Sequence, residues 1–191
     1  MRQQFHPVVV LPTSYQVADF TGEITSEYAT PWVVGRYAEH RPAMYTQGLF
    51  GGSRTLHMGI DLGGPVGVAV HAFDAGHILH VGYNAQPGDY GHVIVSEHQY
   101  DGRALYALHG HLSRSSTVRW KPGQTFSKGD VLGWLGDIED NGGWPPHVHF
   151  QLSWNRPNTC DMPGVVDPKE EQSARRLYPD PRMVLGNIYT D

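Results

Sequence analysis

Val93-Ile94-Val95-Ser96-Glu97-His98-Gln99-Tyr100-Asp101-Gly102-Arg103-Ala104-Leu105-Tyr106-Ala107-Leu108 is the stretch whose reading decides the fold. Apolar residues flank Asp101-Gly102 on both sides. An Asp-Gly pair between two apolar runs signals a β-hairpin, because its tight turn needs positive φ at both central residues. Working outward, the same grammar repeats: Val66, Val68 and Val70, then His77 to Val81, then Phe126, Val131, Leu132 and Trp134. Breakers separate these runs at Gly63-Gly64-Pro65, Gln86-Pro87-Gly88-Asp89 and Lys121-Pro122-Gly123. Short strands with glycine-rich turns predict a mainly β fold, a compact antiparallel sheet or sandwich with short peripheral helices. One helical turn is expected within 36–45, interrupted at Pro42. Another helix should open at Asp167-Pro168-Lys169-Glu170, an N-cap, a first-turn proline and a capping-box glutamate, and run to about Leu177. The chain divides into an N-terminal extension (1–55), a β core (56–152) and a C-terminal extension with a short helix (153–191).

Composition narrows the function. The chain has 191 residues and a formal net charge of −5. With no lysine or arginine block, nucleic acid and membrane insertion are not expected. The single cysteine, Cys160, excludes an intramolecular disulfide framework and a cysteine zinc site. Val8-Val9-Val10-Leu11 is too short for a signal-peptide core. As written the chain reads as cytoplasmic, and a leader would redirect it to the cell envelope. Nothing in the sequence fixes the oligomeric state.

Chemistry gathers around histidine, of which there are twelve. In Asn141-Gly142-Gly143-Trp144-Pro145-Pro146-His147-Val148-His149-Phe150-Gln151, two prolines make a stiff loop that delivers His-x-His into a strand. Strand alternation puts His147 and His149 on one face, half of a metal site. His57-Met58-Gly59-Ile60-Asp61 supplies the other half. Fully extended, four residues span roughly 13 Å, so Gly59 is needed to bend the chain and aim both side chains at one ion. His57, Asp61 and either His147 or His149 make three ligands with one position left open. A third cluster, His109-Gly110-His111, should also share one strand face, with Gly110 leaving room on the other. His71, His77, His80, His92 and His98 read as surface or half-buried positions. Trp144, Tyr83, Asn84 and Tyr90 are candidate groove walls.

Taken in order, His57-x-x-x-Asp61, His111-Leu112-Ser113 and His147-x-His149 resemble the lysostaphin-like, LytM-type zinc metallopeptidases over roughly Leu56 to Leu152. The resemblance implies one zinc ion on the floor of a groove in an antiparallel β fold. It implies His57, Asp61 and His149 as metal ligands and His111 and His147 as catalytic histidines. It also implies a peptide or peptidoglycan-derived substrate. Gly35-Arg36-Tyr37, Asn141 to Gln151, Met162-Pro163-Gly164-Val165 and Tyr178-Pro179-Asp180-Pro181 are similar to a branch of that family fused to kinase-like and aminotransferase domains. Two departures stand out: Gly142-Gly143-Trp144-Pro145-Pro146 replaces the usual small-residue run, and His109 replaces the usual aromatic.

Zinc would lower the pKa of bound water to about 7 and polarise the scissile carbonyl. No His-Glu-x-x-His is present, so proton transfer falls to histidine. His147 is the better base and His111 the better oxyanion partner. Two rivals come from other classes. A non-haem iron oxygenase also uses two histidines and a carboxylate, but has no use for His111 and His147. A non-catalytic cell-wall peptide binding module would tend to have lost some of these five residues.

Overall fold

The hairpin forms where Asp101-Gly102 requires it, with φ of 48° and 74° at those two residues. The structure, a computed structural model, describes residues 4–22 and 28–190. Residues 1–3 and 23–27 of the N-terminal extension and residue 191 of the C-terminal one lie outside the described residues. In chain order the strands are β1 (Gln16–Val17), β2 (Val33–Gly35), β3 (Glu39–His40), β4 (Leu56–His57), β5 (Ile60–Gly63), β6 (Ala69–His71), β7 (Gly76–Asn84), β8 (Gly91–Tyr100) and β9 (Arg103–Leu112). After helix α1 (Arg114–Arg119) come β10 (Thr125–Phe126), β11 (Val131–Trp134), β12 (His147–Ser153) and β13 (Val165–Val166). Two short helices follow, α2 (Glu171–Leu177) and α3 (Arg182–Leu185).

Eight strands form the main sheet in the order β1-β2-β5-β12-β9-β8-β7-β10. All its pairings are antiparallel except β1 with β2. A three-stranded sheet, β13-β4-β3, and a two-stranded one, β11-β6, complete the architecture. Period-two alternation gives the main sheet two different faces. Ile60, Leu62, Val148, Phe150, Leu152, Leu105, Ala107, Ile94 and Ile78 belong to the large core. Val70, Phe73, Leu132 and Leu135 pack into the same core, as do Val8, Val9, Tyr178 and Val184 from the two ends of the chain. The opposite face carries a smaller cluster of Leu79, Tyr90, Val93, Val95, Tyr106, Leu108 and Met162. Asp61, His147 and His149 also project from that second face, alternating with Ile60, Leu62, Val148 and Phe150.

The mainly β expectation holds, and the helix after Asp167 is present, opened by a 3₁₀ turn over Pro168–Glu170 whose N–H at Lys169 bonds to the Asp167 side chain. The helical turn expected in 36–45 is not formed. There Glu39–His40 pairs with Leu56–His57 as a strand, and the backbone order goes to that ladder instead. Nor are helices confined to the two expected stretches. The six-residue α1 buries Ser116 and Thr117, polar residues with no apolar period to announce them. α3 forms after Pro181, where the sequence reads only as a stop.

His98 also departs from expectation. It is fully buried, bonded to Ser96 Oγ and the Ala75 carbonyl, and packed on Phe73 at 4.1 Å. His77 has a carboxylate nearby, Glu97, at 3.7 Å. Burial pushes the His98 pKa down to about 4 and that of the equally buried His109 down to about 3. An unfolded histidine titrates near 6.5, so between these values the unfolded chain binds more protons and stability rises with pH. The contribution is complete above pH 6.5 and is lost as pH falls toward 4 and 3. Urea midpoints of the metal-free protein should therefore drop between pH 7 and pH 4.5. His109→Leu should narrow that drop, and an unchanged difference would refute the assignment.

Candidate metal and catalytic site

The site assembles where three strands meet on the second face. Asp61 on β5 and His149 on β12 are directly paired in register. His57 lies on β4, in the other sheet, beside Glu39 and Val165. The chain changes sheets across Met58-Gly59, which is the bend the spacing demanded. A β-carbon on Gly59 would sit 2.5 Å from Cε1 of His149, so this glycine also seats the opposing imidazole.

His57 Nε2, Asp61 Oδ1 and His149 Nδ1 converge. Both imidazole nitrogens lie 3.2 Å from the carboxylate oxygen and 2.9 Å from each other. The surrounding hydrogen bonds decide which ring nitrogens carry protons. His57 Nδ1 donates to the Arg36 carbonyl at 2.9 Å, leaving a lone pair on Nε2. Gln151 Nε2 donates to the Pro163 carbonyl, which turns Oε1 toward His149. His149 Nε2 then donates to that oxygen at 3.0 Å, leaving a lone pair on Nδ1. Three acceptors thus face one another with no proton among them, an arrangement a cation satisfies. Ligands about 2.0–2.2 Å from a tetrahedral ion lie about 3.3–3.6 Å apart. The observed separations are a few tenths of an ångström tighter, and the donor set suits zinc. Among the described residues, these three form the one group of this composition able to hold a metal ion.

Arg41 holds the other end of Asp61. Its Nη1 donates to Asp61 Oδ2 at 2.7 Å and its Nε to Glu39 Oε2 at 2.8 Å. Burial lowers the His57 pKa to about 4, and Arg41 adds to the effect. Burial opposes ionisation of Asp61, but neighbouring His57 and the Arg41 guanidinium hold its pKa well below the usual range. His57 and Asp61 are therefore deprotonated and ready for metal at neutral pH.

His147 and His111 stand beside this cluster. As expected, His147 shares its face with His149, and its Nε2 lies 3.7 Å from Asp61 Oδ1. The His111 and His147 rings are 4.3 Å apart. Each gives its Nδ1–H to a carbonyl, His147 to Pro145 and His111 to Asn141, both at 2.7 Å. Burial depresses both pKa values, with neighbouring histidines adding to the effect at His111, so each offers a neutral Nε2. The loop before β12 is pinned by Asn141, fully buried, whose side chain bonds Trp144 on both its N–H and its carbonyl.

The structure corrects the reading that His109 and His111 share a face. Between the His92–Leu112 and Ile94–His109 pairs, Val93 alone opposes Gly110 and His111. This β-bulge, with φ of 62° at His111, turns that side chain over. His109 stays in the large core against Phe150, while His111 faces the site. Room beside Gly110 is taken by Tyr90, whose Cδ1 would be 2.5 Å from an added β-carbon. Tyr90 and Trp144 line the site, with ring centroids 5.6 and 6.3 Å from His111. Tyr83 is half-exposed and packs on His92, and Asn84 bonds the Cys160 carbonyl. Sequence reasoning missed Arg41, Tyr45 and Gln151. Of these, only Gln151 carried a signal, as the next residue on the face of His147 and His149.

A family model, Peptidase family M23, matches residues 55–161. No curated protein sequence matches the chain. Among solved structures, the catalytic domain of the antimicrobial peptidase lysostaphin from Staphylococcus simulans is 22% identical with a TM-score of 0.50. That alignment covers 72% of this chain and 90% of that one. A catalytic-domain variant of the prophage-encoded M23 protein EnpA from Enterococcus faecalis is 24% identical, TM-score 0.49, over 80% of this chain and 97% of that one. A zinc-containing peptidase from Vibrio cholerae is 24% identical, TM-score 0.43, over 51% of this chain. There the match spans only 27% of the other protein's length. The family match covers more than half of the sequence: this chain belongs to peptidase family M23. It is accordingly a metallopeptidase, a hydrolase of the zinc-dependent kind.

Gly59→Ala tests how the site is seated. The added methyl should displace the His149 ring, leave the far-UV circular dichroism unchanged and weaken zinc binding about 10–100-fold, as when the support of a metal ligand is disturbed. Wild-type affinity in a competition with a chromogenic chelator would contradict it.

Proposed function

We propose that His57, Asp61 and His149 bind one zinc ion per chain and that His111 and His147 carry the proton and charge work of amide hydrolysis. The observation that carries this is the convergence of three unprotonated acceptors beside two further neutral imidazoles. When bound, zinc supplies a Lewis acid and lowers the pKa of a water held in its open position. His147 Nε2, on the open side of Asp61, is placed to accept that water's proton. His111, its Nδ1–H fixed on the Asn141 carbonyl, presents Nε2 beside the His147 ring, and on taking up the proton that His147 accepts from water it would donate to a developing oxyanion. Tyr90 and Trp144 exclude water from the flanks.

The substrate we propose is a peptide of the peptidoglycan type, either an intact cross-link or a soluble muropeptide. Support comes from family membership and from the similarity to lysostaphin, which is described as an antimicrobial peptidase. The finer placement, in the branch fused to kinase-like and aminotransferase domains, rests on the sequence resemblance of its marker stretches, which here also pack around the site. Arg36 holds His57, Pro163 holds Gln151, and the Tyr178 carbonyl accepts the Tyr37 hydroxyl. Incubating the zinc-loaded protein with intact peptidoglycan and with soluble muropeptides, with products identified by mass spectrometry, tests the substrate. Cleavage of neither would overturn it.

The roles separate by variant. His57→Ala, Asp61→Ala and His149→Ala should purify with little zinc and no activity. His147→Ala and His111→Ala should keep near-stoichiometric zinc, with turnover lowered about 10²–10⁴-fold for a lost general base. Zinc content by plasma emission beside activity reads both, and zinc loss in His147→Ala with retention in His149→Ala would reverse the assignment.

Protons compete with zinc for the same lone pairs. The depressed His57 pKa, about 4, implies retention well below the pH at which a free imidazole protonates. Zinc should stay bound at pH 5.5 and leave as pH approaches 4. Release centred near 6.5 in an equilibrium dialysis series would contradict this.

A further inference from the structure

Arg41 lies outside the residues that the family model matches, yet it is the most completely engaged side chain near the site. It is 1% exposed. Nε donates to Glu39 Oε2 at 2.8 Å, Nη2 to the Arg36 carbonyl at 3.2 Å, and Nη1 both to Asp61 Oδ2 at 2.7 Å and to the Tyr45 hydroxyl at 3.2 Å. The ring of Phe20 covers the guanidinium at 4.7 Å, and the Phe20 N–H bonds Glu39. Gly35 makes the space, since a β-carbon there would lie 2.7 Å from Arg41 Nη2 and 2.8 Å from Asp61 Oδ2.

This divides the two oxygens of Asp61. Oδ2 is taken by the guanidinium, and Oδ1 faces His57 Nε2 and His149 Nδ1. To present both oxygens to one ion, the carboxylate would have to rotate and break a buried charge-assisted hydrogen bond. The Arg36 carbonyl accepts from both Arg41 and His57, so two of the three ligands hang on one loop. Glu39 answers the charge of Arg41, so the guanidinium adds no net positive charge against a cation. A lysine ammonium lacks the planar fork needed to reach Glu39, Asp61 and Tyr45 together.

We propose that Arg41 is a positioning residue that makes Asp61 a one-oxygen metal ligand and thereby keeps open the coordination position facing His111 and His147. This rests on the zinc reading above and goes beyond it by naming what sets the coordination number. Removing Arg41 frees Oδ2 to bind as well as Oδ1, which raises the ligand count above four and crowds the position facing His111 and His147.

The test uses the full chain with Arg41→Gln, Arg41→Lys and the charge-balanced Glu39→Gln/Arg41→Gln pair. Zinc affinity is read by chelator competition. Coordination is read from the visible spectrum of the cobalt(II)-loaded protein, which is intense for four ligands and weak for five or six. The wild type should show the intense spectrum. All three variants should show a weakened spectrum and zinc affinity changed about 10–100-fold. If Arg41→Gln does not fold, the charge-balanced pair decides. A purely structural role would lower the melting temperature but leave both the spectrum and the zinc affinity at wild-type values, and that result overturns the proposal. If the wild type takes up neither zinc nor cobalt, the zinc reading itself fails, and the proposal falls with it.

Discussion

Three lone pairs aimed at one another are the constraint from which the rest of this structure follows. Left alone, His57 Nε2, Asp61 Oδ1 and His149 Nδ1 would repel, and each ring would turn to find a donor. Each is prevented by a bond at its far atom: the Arg36 carbonyl, the Arg41 guanidinium and the Gln151 amide. The unfavourable contact is held by favourable ones made elsewhere, and a cation reverses its sign. An ion that binds only the folded chain then adds to folding stability by mass action, so site and fold support each other.

Such a contact needs parts from distant places in the chain. Residues 55–161 carry the ligands and histidines but not all their supports. From the front come Arg36, Arg41 and Tyr45. From the rear come the Met162 carbonyl, which accepts the Tyr90 hydroxyl, the Pro163 carbonyl, which orients Gln151, and the Gly164 carbonyl, which accepts the Met58 N–H. These segments have little regular structure, but their backbone carbonyls hold the side chains around the metal site.

What the sequence disclosed follows from this. Alternation is a local rule, so the strands, the Asp101-Gly102 hairpin and the shared face of His147 and His149 were legible. The bend at Gly59 was legible because the His57–Asp61 spacing fails without it. Alternation fails at a bulge, and nothing in His109-Gly110-His111 shows that one strand carries an extra residue there, so the two histidines were wrongly put together. Arg41 was invisible for another reason. A lone arginine has no period, and its partner Asp61 is twenty residues away on β5 of the main sheet. The helical turn expected in 36–45 failed because that segment is spent on the β3 ladder and the Arg41 cluster. α1 went unseen because its buried residues are serine and threonine.

His111 adopts a backbone conformation that residues with a β-carbon avoid, at a cost of order 1–3 kcal/mol. It is held there by its N–H on the Tyr90 carbonyl, by its own carbonyl accepting from Gly136, and by its ring on Asn141. Glycine or asparagine would fit that backbone with less strain. A search for heat-resistant variants guided by stability alone would therefore drift toward replacing this histidine. Durability and turnover pull in opposite directions at this one position, and an engineered form of the enzyme would have to be selected for both at once.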